Sequence, residues 1–122
     1  MVIEIPGVDA YSGLKICEGN LDFYLRILRL YVSNMPAVLE KIRNVSKETL
    51  RDYTINVHSL KSNSEYIGAE EARKTAKLLE ETAKGGDLAG VQAQNEAFIK
   101  YVENLIDDIR SWLEKHEASN RP

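Results

Sequence analysis

Two residues one helical turn apart, His58 and Lys61, are the part of this 122-residue chain best suited to chemistry. A neutral imidazole nitrogen can attack phosphorus, and a solvent-facing histidine with a reference pKa of about 6.5 is largely neutral near pH 7. Once the ring carries a phosphoryl group it also carries considerable negative charge. Lys61, three residues on, sits on the neighbouring turn and can compensate that charge. Ser59 and Ser62 are small, so another protein's active site can approach His58 without collision. The second ring nitrogen then needs an acceptor that fixes the tautomer, commonly a carboxylate or a carbonyl.

The helix that carries these residues has two distinct faces. Stepping about 100° per residue gathers Tyr53, Val57, Leu60, Ser64 and Ile67 on one side and points His58 about 140° away, toward water. Thr54, Ile55, Lys61, Ser62 and Glu65 surround it. Ile55 is thus an apolar residue on the wet face, where a docking surface would use one. Ser46 is the expected cap of this helix, and Gly68 its stop.

Every other long periodic segment also reads as helix, and none alternates as a strand would. Asp9 caps a short helix that ends near Cys17, with Gly19 just beyond. Asn20 caps a long one whose apolar positions are Leu21, Tyr24, Leu25, Leu28, Tyr31, Val32, Met35, Leu39 and Ile42. Pro36 lacks a backbone donor and is expected to kink or split that helix near Asn34. A segment from about Ala69 to Lys84 presents Ala72, Ala76, Leu79 and Ala83 on one face. Gly85-Gly86-Asp87 ends it and caps its successor. The last helix carries Val91, Asn95, Phe98, Val102, Leu105, Ile109 and Trp112 in alternating steps of four and three. Such a seam packs in a bundle, with Asn95 serving register or a local hydrogen bond. Short connections make neighbouring helices antiparallel. The expected fold is therefore all-α, an antiparallel up-and-down four-helix bundle with a short additional N-terminal helix, in one domain over 1–117 with a loose tail at 118–122.

Composition narrows the function. A net charge of −3 from mixed charges leaves no basic footprint for nucleic acid or an anionic membrane. No window approaches about 18 uninterrupted apolar residues, and the N-terminal residues lack the pattern of a signal peptide. A cytoplasmic location is expected, including the cytoplasmic part of a larger membrane-bound sensor kinase. Cys17, the single cysteine, reads as a small buried apolar residue.

The run His58-Ser-Leu60-Lys61, with Ile67-Gly68-Ala69 after it, resembles the phosphoacceptor helix of histidine-containing phosphotransfer (HPt) domains. The likeness extends along the chain. Ile5-Pro6-Gly7-Val8-Asp9, Gly13-Leu14 and Gly19-Asn20 look like the family's opening, Asn34-Met35-Pro36 like the break in its second helix, and Leu79-Glu80 like its support helix. Many members have Gly directly after the lysine, where this chain has Ser62. The resemblance implies a phosphocarrier, not an enzyme. His58 would take a phosphoryl group on Nε2 from an aspartate of a receiver domain and pass it to another receiver aspartate. Glu80 would hydrogen-bond the inner ring nitrogen, and helical phase puts it at the edge of its helix's apolar face. Thr54, Ile55, Ser59, Ser62 and Glu65 would contribute to docking. The partners implied are receiver domains of a hybrid histidine kinase or a response regulator. No cofactor would belong to this chain, since Mg²⁺ and the acidic pocket come from the receiver. Transient docking by a monomer is expected.

Other chemistries lack their residues. Bundle di-metal sites use Glu-x-x-His, but Ile55 and Leu113 stand three residues before His58 and His116. No zinc spacing, Gly-rich phosphate loop or nucleophile elbow is present. A sensor-kinase dimerisation helix typically has an acidic residue right after its histidine and a proline soon after; here Ser59 and Ser62-Asn63 follow. Two alternatives retain the helical fold: a phosphate-independent adaptor, and the substrate domain of a chemotaxis-type kinase, which differs in donor rather than in residue.

Overall fold

In the computed structural model, which describes residues 2–120, five helices carry the chain: α1 (Ala10–Ile16), α2 (Leu21–Ile42), α3 (Leu50–Ile67), α4 (Glu70–Lys84) and α5 (Leu88–Ser119). Among the described residues there is no strand, only an isolated bridge between Ile5 and Val8. Among these residues no helix is long and apolar enough to cross a membrane.

Three helix starts follow from side chains that satisfy otherwise unpaired backbone donors. Asp9 accepts from the Ser12 backbone N–H at 3.2 Å, Asn20 from that of Phe23 at 3.0 Å, and Asp87 from that of Gly90 at 2.9 Å. The buried faces match the periodic stripes. On α2 they include Tyr24, Leu28, Tyr31, Met35, Leu39 and Ile42; on α3 they are Tyr53, Val57, Leu60, Ser64 and Ile67. Contacts between α2 and α3, α3 and α4, α4 and α5, and α5 and α2 close a ring of four helices around one core, and α1 packs on α2 and α3.

Four details depart from expectation. Pro36 does not split α2, which runs unbroken through it. Pro36 lies on the exposed side of the helix, while buried Met35 and Leu39 on either side anchor it. Ser46 does not cap α3. It closes a turn instead, its backbone N–H donating to Thr49 Oγ1 at 2.8 Å, and the helix starts only at Leu50. The tail is not loose from residue 118: Ala118 and Ser119 complete α5, with Ser119 Oγ donating to the Lys115 carbonyl at 2.9 Å. A run of good helix formers, Glu114 to Ala118, carries the helix that far; residues 121–122 lie outside the described residues. Trp112 is only partly buried, the core position falling to Leu113, and its ring stacks on His116 at 5.0 Å.

Buried polar groups set helix register. Tyr53 Oη donates to Asn95 Oδ1 at 2.8 Å, and Asn95 Nδ2 donates to the Ile42 carbonyl at 2.7 Å, so one amide joins α3, α5 and the end of α2. Tyr31 Oη and Ser64 Oγ pair at 2.9 Å, and Tyr24 Oη donates to the Ile67 carbonyl at 2.7 Å. Burial pushes the Tyr31 phenol up to about 12, and those of Tyr24 and Tyr53 well above the usual tyrosine range, so all three stay protonated.

Gly68 ends α3 in the left-handed region, with φ of +81°. Its N–H donates to the Glu65 carbonyl at 3.1 Å and that of Ala69 to the Ser64 carbonyl at 2.8 Å, the paired pattern of a Schellman terminus. The Gly68 carbonyl also accepts from the Asp9 N–H at 2.8 Å, and a Cβ there would collide with the Asp9 carbonyl oxygen. Gly86 has a similar φ of +77° but open space around it. Gly86→Ala should therefore lower stability by about 1 kcal/mol through backbone strain alone, whereas Gly68→Ala should lower it by about 2–4 kcal/mol through strain plus displacement of the Asp9 segment. Urea unfolding of the two variants checks the difference.

Candidate functional site

The short Gly68-Ala69 connection joins α3 to α4, the two helices pack against each other, and the small side chains of Ala72, Ala76 and Ala83 are buried in the packing of α4. A glutamate on α4 can therefore reach the histidine on α3. Glu80 Oε2 lies 2.6 Å from His58 Nδ1, and Lys61 Nζ donates to Glu80 Oε1 at 2.7 Å. Lys84, one turn beyond Glu80, places its Nζ 3.5 Å from Oε2. One carboxylate thus bonds two basic side chains, with a third within ion-pair range.

Burial is divided unequally. The Glu80 side chain is only 4% exposed, whereas that of His58 is 56% exposed. Burial acts to raise the carboxyl's pKa, but the hydrogen bonds from Lys61 and His58, with the positive charge of both, outweigh it. The result is a carboxyl below the usual carboxylate range. An ionised Glu80 only accepts hydrogen bonds, so Nδ1 must carry the proton it receives. When the ring is neutral, the Nε2 lone pair is therefore left on its exposed side, free to act as a nucleophile toward an electrophile brought from outside.

The other residues singled out in the sequence lie around this centre. Ile55 is 62% exposed and Glu65 is exposed, while Thr54, Ser59 and Ser62 are half-buried. Thr54 Oγ1 is turned inward to the Leu50 carbonyl at 2.9 Å, and Ser59 accepts from Asn63 Nδ2. Ser59 lies about 100° round the helix from His58, farther than the other four. A shallow hollow lined by Leu50, Arg51, Thr54, Ile55, Ala83 and Lys84 opens beside the histidine.

Two groups of residues escaped the sequence reading. Lys84 is the first: its i, i+4 spacing from Glu80 marks it as that residue's neighbour, but as the neighbour of a solvated charge and not as part of the site. The second is a set of exposed apolar side chains, Phe23 and Leu30 on α2 and Tyr66 on α3. The signal for the α2 pair was their seven-residue spacing off the buried stripe. Tyr24 and Tyr31 contact α3 while Arg29 pairs with Glu117 of α5 at 3.2 Å, which puts Phe23 and Leu30 on the flank of α2 turned away from α5 and adjoining α3.

Two outcomes follow from the Glu80 geometry. In nitrogen NMR, His58 should carry its proton on Nδ1 when neutral, and Glu80→Leu should shift it to Nε2. The second concerns stability. Because the folded carboxyl titrates below its unfolded value of about 4.3, its contribution is complete above that pH and is lost as pH falls through the lower folded value. Urea midpoints measured at about pH 6 and about pH 3 should therefore fall less steeply with acid for Glu80→Gln than for the parent chain.

A protein-family model for the Hpt domain matches residues 26–112, more than half of the chain, and the matched span includes His58, Lys61, Glu80 and Lys84. No curated protein and no solved structure gives a match. With an all-helical fold and the family match in agreement, this chain belongs to the Hpt domain family, the phosphotransfer domains of two-component phosphorelays.

Proposed function

We propose that the chain is a phosphorelay carrier whose phosphoacceptor is Nε2 of His58. The observation that carries this reading is the 2.6 Å contact between His58 Nδ1 and the ionised Glu80, which leaves the Nε2 lone pair outward on an exposed ring. The lone pair attacks the phosphorus of a receiver's aspartyl phosphate. The N–P bond forms as the P–O bond breaks, and the receiver carboxylate leaves with the electron pair. No proton has to move, because the positive charge that develops on the ring faces the Glu80 carboxylate. The reverse sequence delivers the group to a second receiver aspartate. Lys61 compensates phosphoryl charge, and the receiver supplies Mg²⁺ and the acidic pocket.

The scaffold is best described as an antiparallel up-and-down four-helix bundle. The pairings support it, since numbers rise along α2 as they fall along its neighbours: Tyr24–Ile67 then Tyr31–Ser64 against α3, and Arg29–Glu117 then Ile42–Asn95 against α5. The receiver-docking face comprises Thr54, Ile55, Ser59, Ser62 and Glu65 around His58, extended by Phe23, Leu30 and Tyr66. The receiver belongs to a hybrid histidine kinase or a response regulator. The chain acts as a monomer in the cytoplasm and docks transiently.

Incubation with a panel of phosphorylated receiver domains, read by intact mass under non-acidic conditions, tests this. The parent chain should gain one acid-labile phosphoryl group, and His58→Gln should fold normally and gain none. A folded parent chain that accepts nothing from any receiver would favour the adaptor or the kinase-supplied substrate domain.

A further inference from the structure

Glu80 holds one more cation than its contact with His58 requires. Lys61 occupies Oε1 at 2.7 Å, while Lys84 stands 3.5 Å from Oε2, the oxygen that already faces His58 Nδ1. That distance is ion-pair range but longer than a formed hydrogen bond to an ammonium group. Lys84 is also the freer of the two lysines, with its side chain 63% exposed against 25% for Lys61.

A phosphoryl group on Nε2 would compete for Lys61. If the ammonium turns outward to the new anion, Oε1 loses its donor and the buried carboxylate keeps only the His58 contact. An underpaired buried carboxylate is costly and relieves itself by taking up a proton, here the one on Nδ1. The ring would then become neutral.

We infer that Lys84 is a positioning residue of the phosphorylated state: it closes onto Glu80 as Lys61 turns to the phosphoryl group, so that Glu80 keeps its hold on the Nδ1–H of His58. This rests on the reading of His58 as phosphoacceptor. In the unmodified chain Lys84 is a bystander, because Lys61 and His58 already satisfy the carboxylate. Its contribution appears only after transfer.

Potassium phosphoramidate delivers a phosphoryl group without a protein partner, so effects on docking do not enter the test. The parent chain, Lys84→Met and Lys84→Arg are compared before and after phosphorylation by nitrogen NMR of the His58 ring and by the rate of phosphoryl loss. Before phosphorylation the three should give the same ring shifts and unfolding midpoints. Afterwards, Lys84→Met should show a smaller protonated fraction at Nδ1 and lose its phosphoryl group about threefold more slowly, a size typical of one partly exposed ion pair, because a neutral ring is a poorer leaving group. Lys84→Arg should behave as the parent. Identical behaviour of Lys84→Met and parent phosphoproteins would overturn the proposal. So would an effect of equal size before and after phosphorylation, which marks a constant structural contact. A folded parent chain that takes no phosphoryl group on His58 would overturn the acceptor reading, and the proposal with it.

Discussion

A carboxylate removed from water has to keep positive or hydrogen-donating partners, and the arrangement around Glu80 answers that requirement. Its bonded partners, His58 and Lys61, reach it from across the α3–α4 contact, while Lys84 of its own helix stands at 3.5 Å without a formed hydrogen bond. The contact must be close for so short a side chain to bridge it, and the alanines of α4 allow that approach. Larger residues at Ala76 or Ala83 would push the helices apart and separate the carboxylate from the imidazole. The tautomer of one exposed histidine thus depends on small residues buried elsewhere along α4.

The same contact depends on how α3 is rotated about its axis. Three buried phenols fix that rotation. Tyr53 reaches α5 through Asn95, Tyr31 meets Ser64, and Tyr24 holds the last α3 carbonyl. These groups add specificity to an apolar core that could otherwise slide by a turn, since leaving any one of them buried without a partner costs about 1–3 kcal/mol. With α3 held on its inner side at Tyr53, Ser64 and Ile67, His58 is committed to the outer side. Rigidity inside and exposure outside are two aspects of one helix orientation.

Much of this was legible in the residues. The inner and outer faces of α3, the caps at Asp9, Asn20 and Asp87, and the stop at Gly68 follow from local rules of period and backbone pairing, which act within a few residues. Pro36 and Ser46 misled because the same rules ignore the surroundings. Pro36 sits on the exposed side of a helix that buried Met35 and Leu39 hold on either side of it, and Ser46 found a partner in Thr49 that closed a turn ahead of the helix. The pairing of Glu80 with His58 was anticipated from family likeness and helical phase, but the depth of its burial and its third cation were not. Those depend on how closely two helices approach, a distance that no single-helix periodicity contains.

The first helix shows what such long-range dependence means for the life of the fold. Seven residues are too few for a helix to persist alone in water. It persists because Gly13 lies flush against Tyr24 and the Ile67 carbonyl, and because Asp9 is bonded to Gly68. The clasp joins the N-terminal segment to the last turn of α3, so the two share a single opening equilibrium. Amide hydrogens of α1 would then exchange with solvent at the pace of that turn rather than at the pace of a frayed end. A stretch outside the matched family span thereby becomes a gauge of cooperative closure in the helix that bears His58.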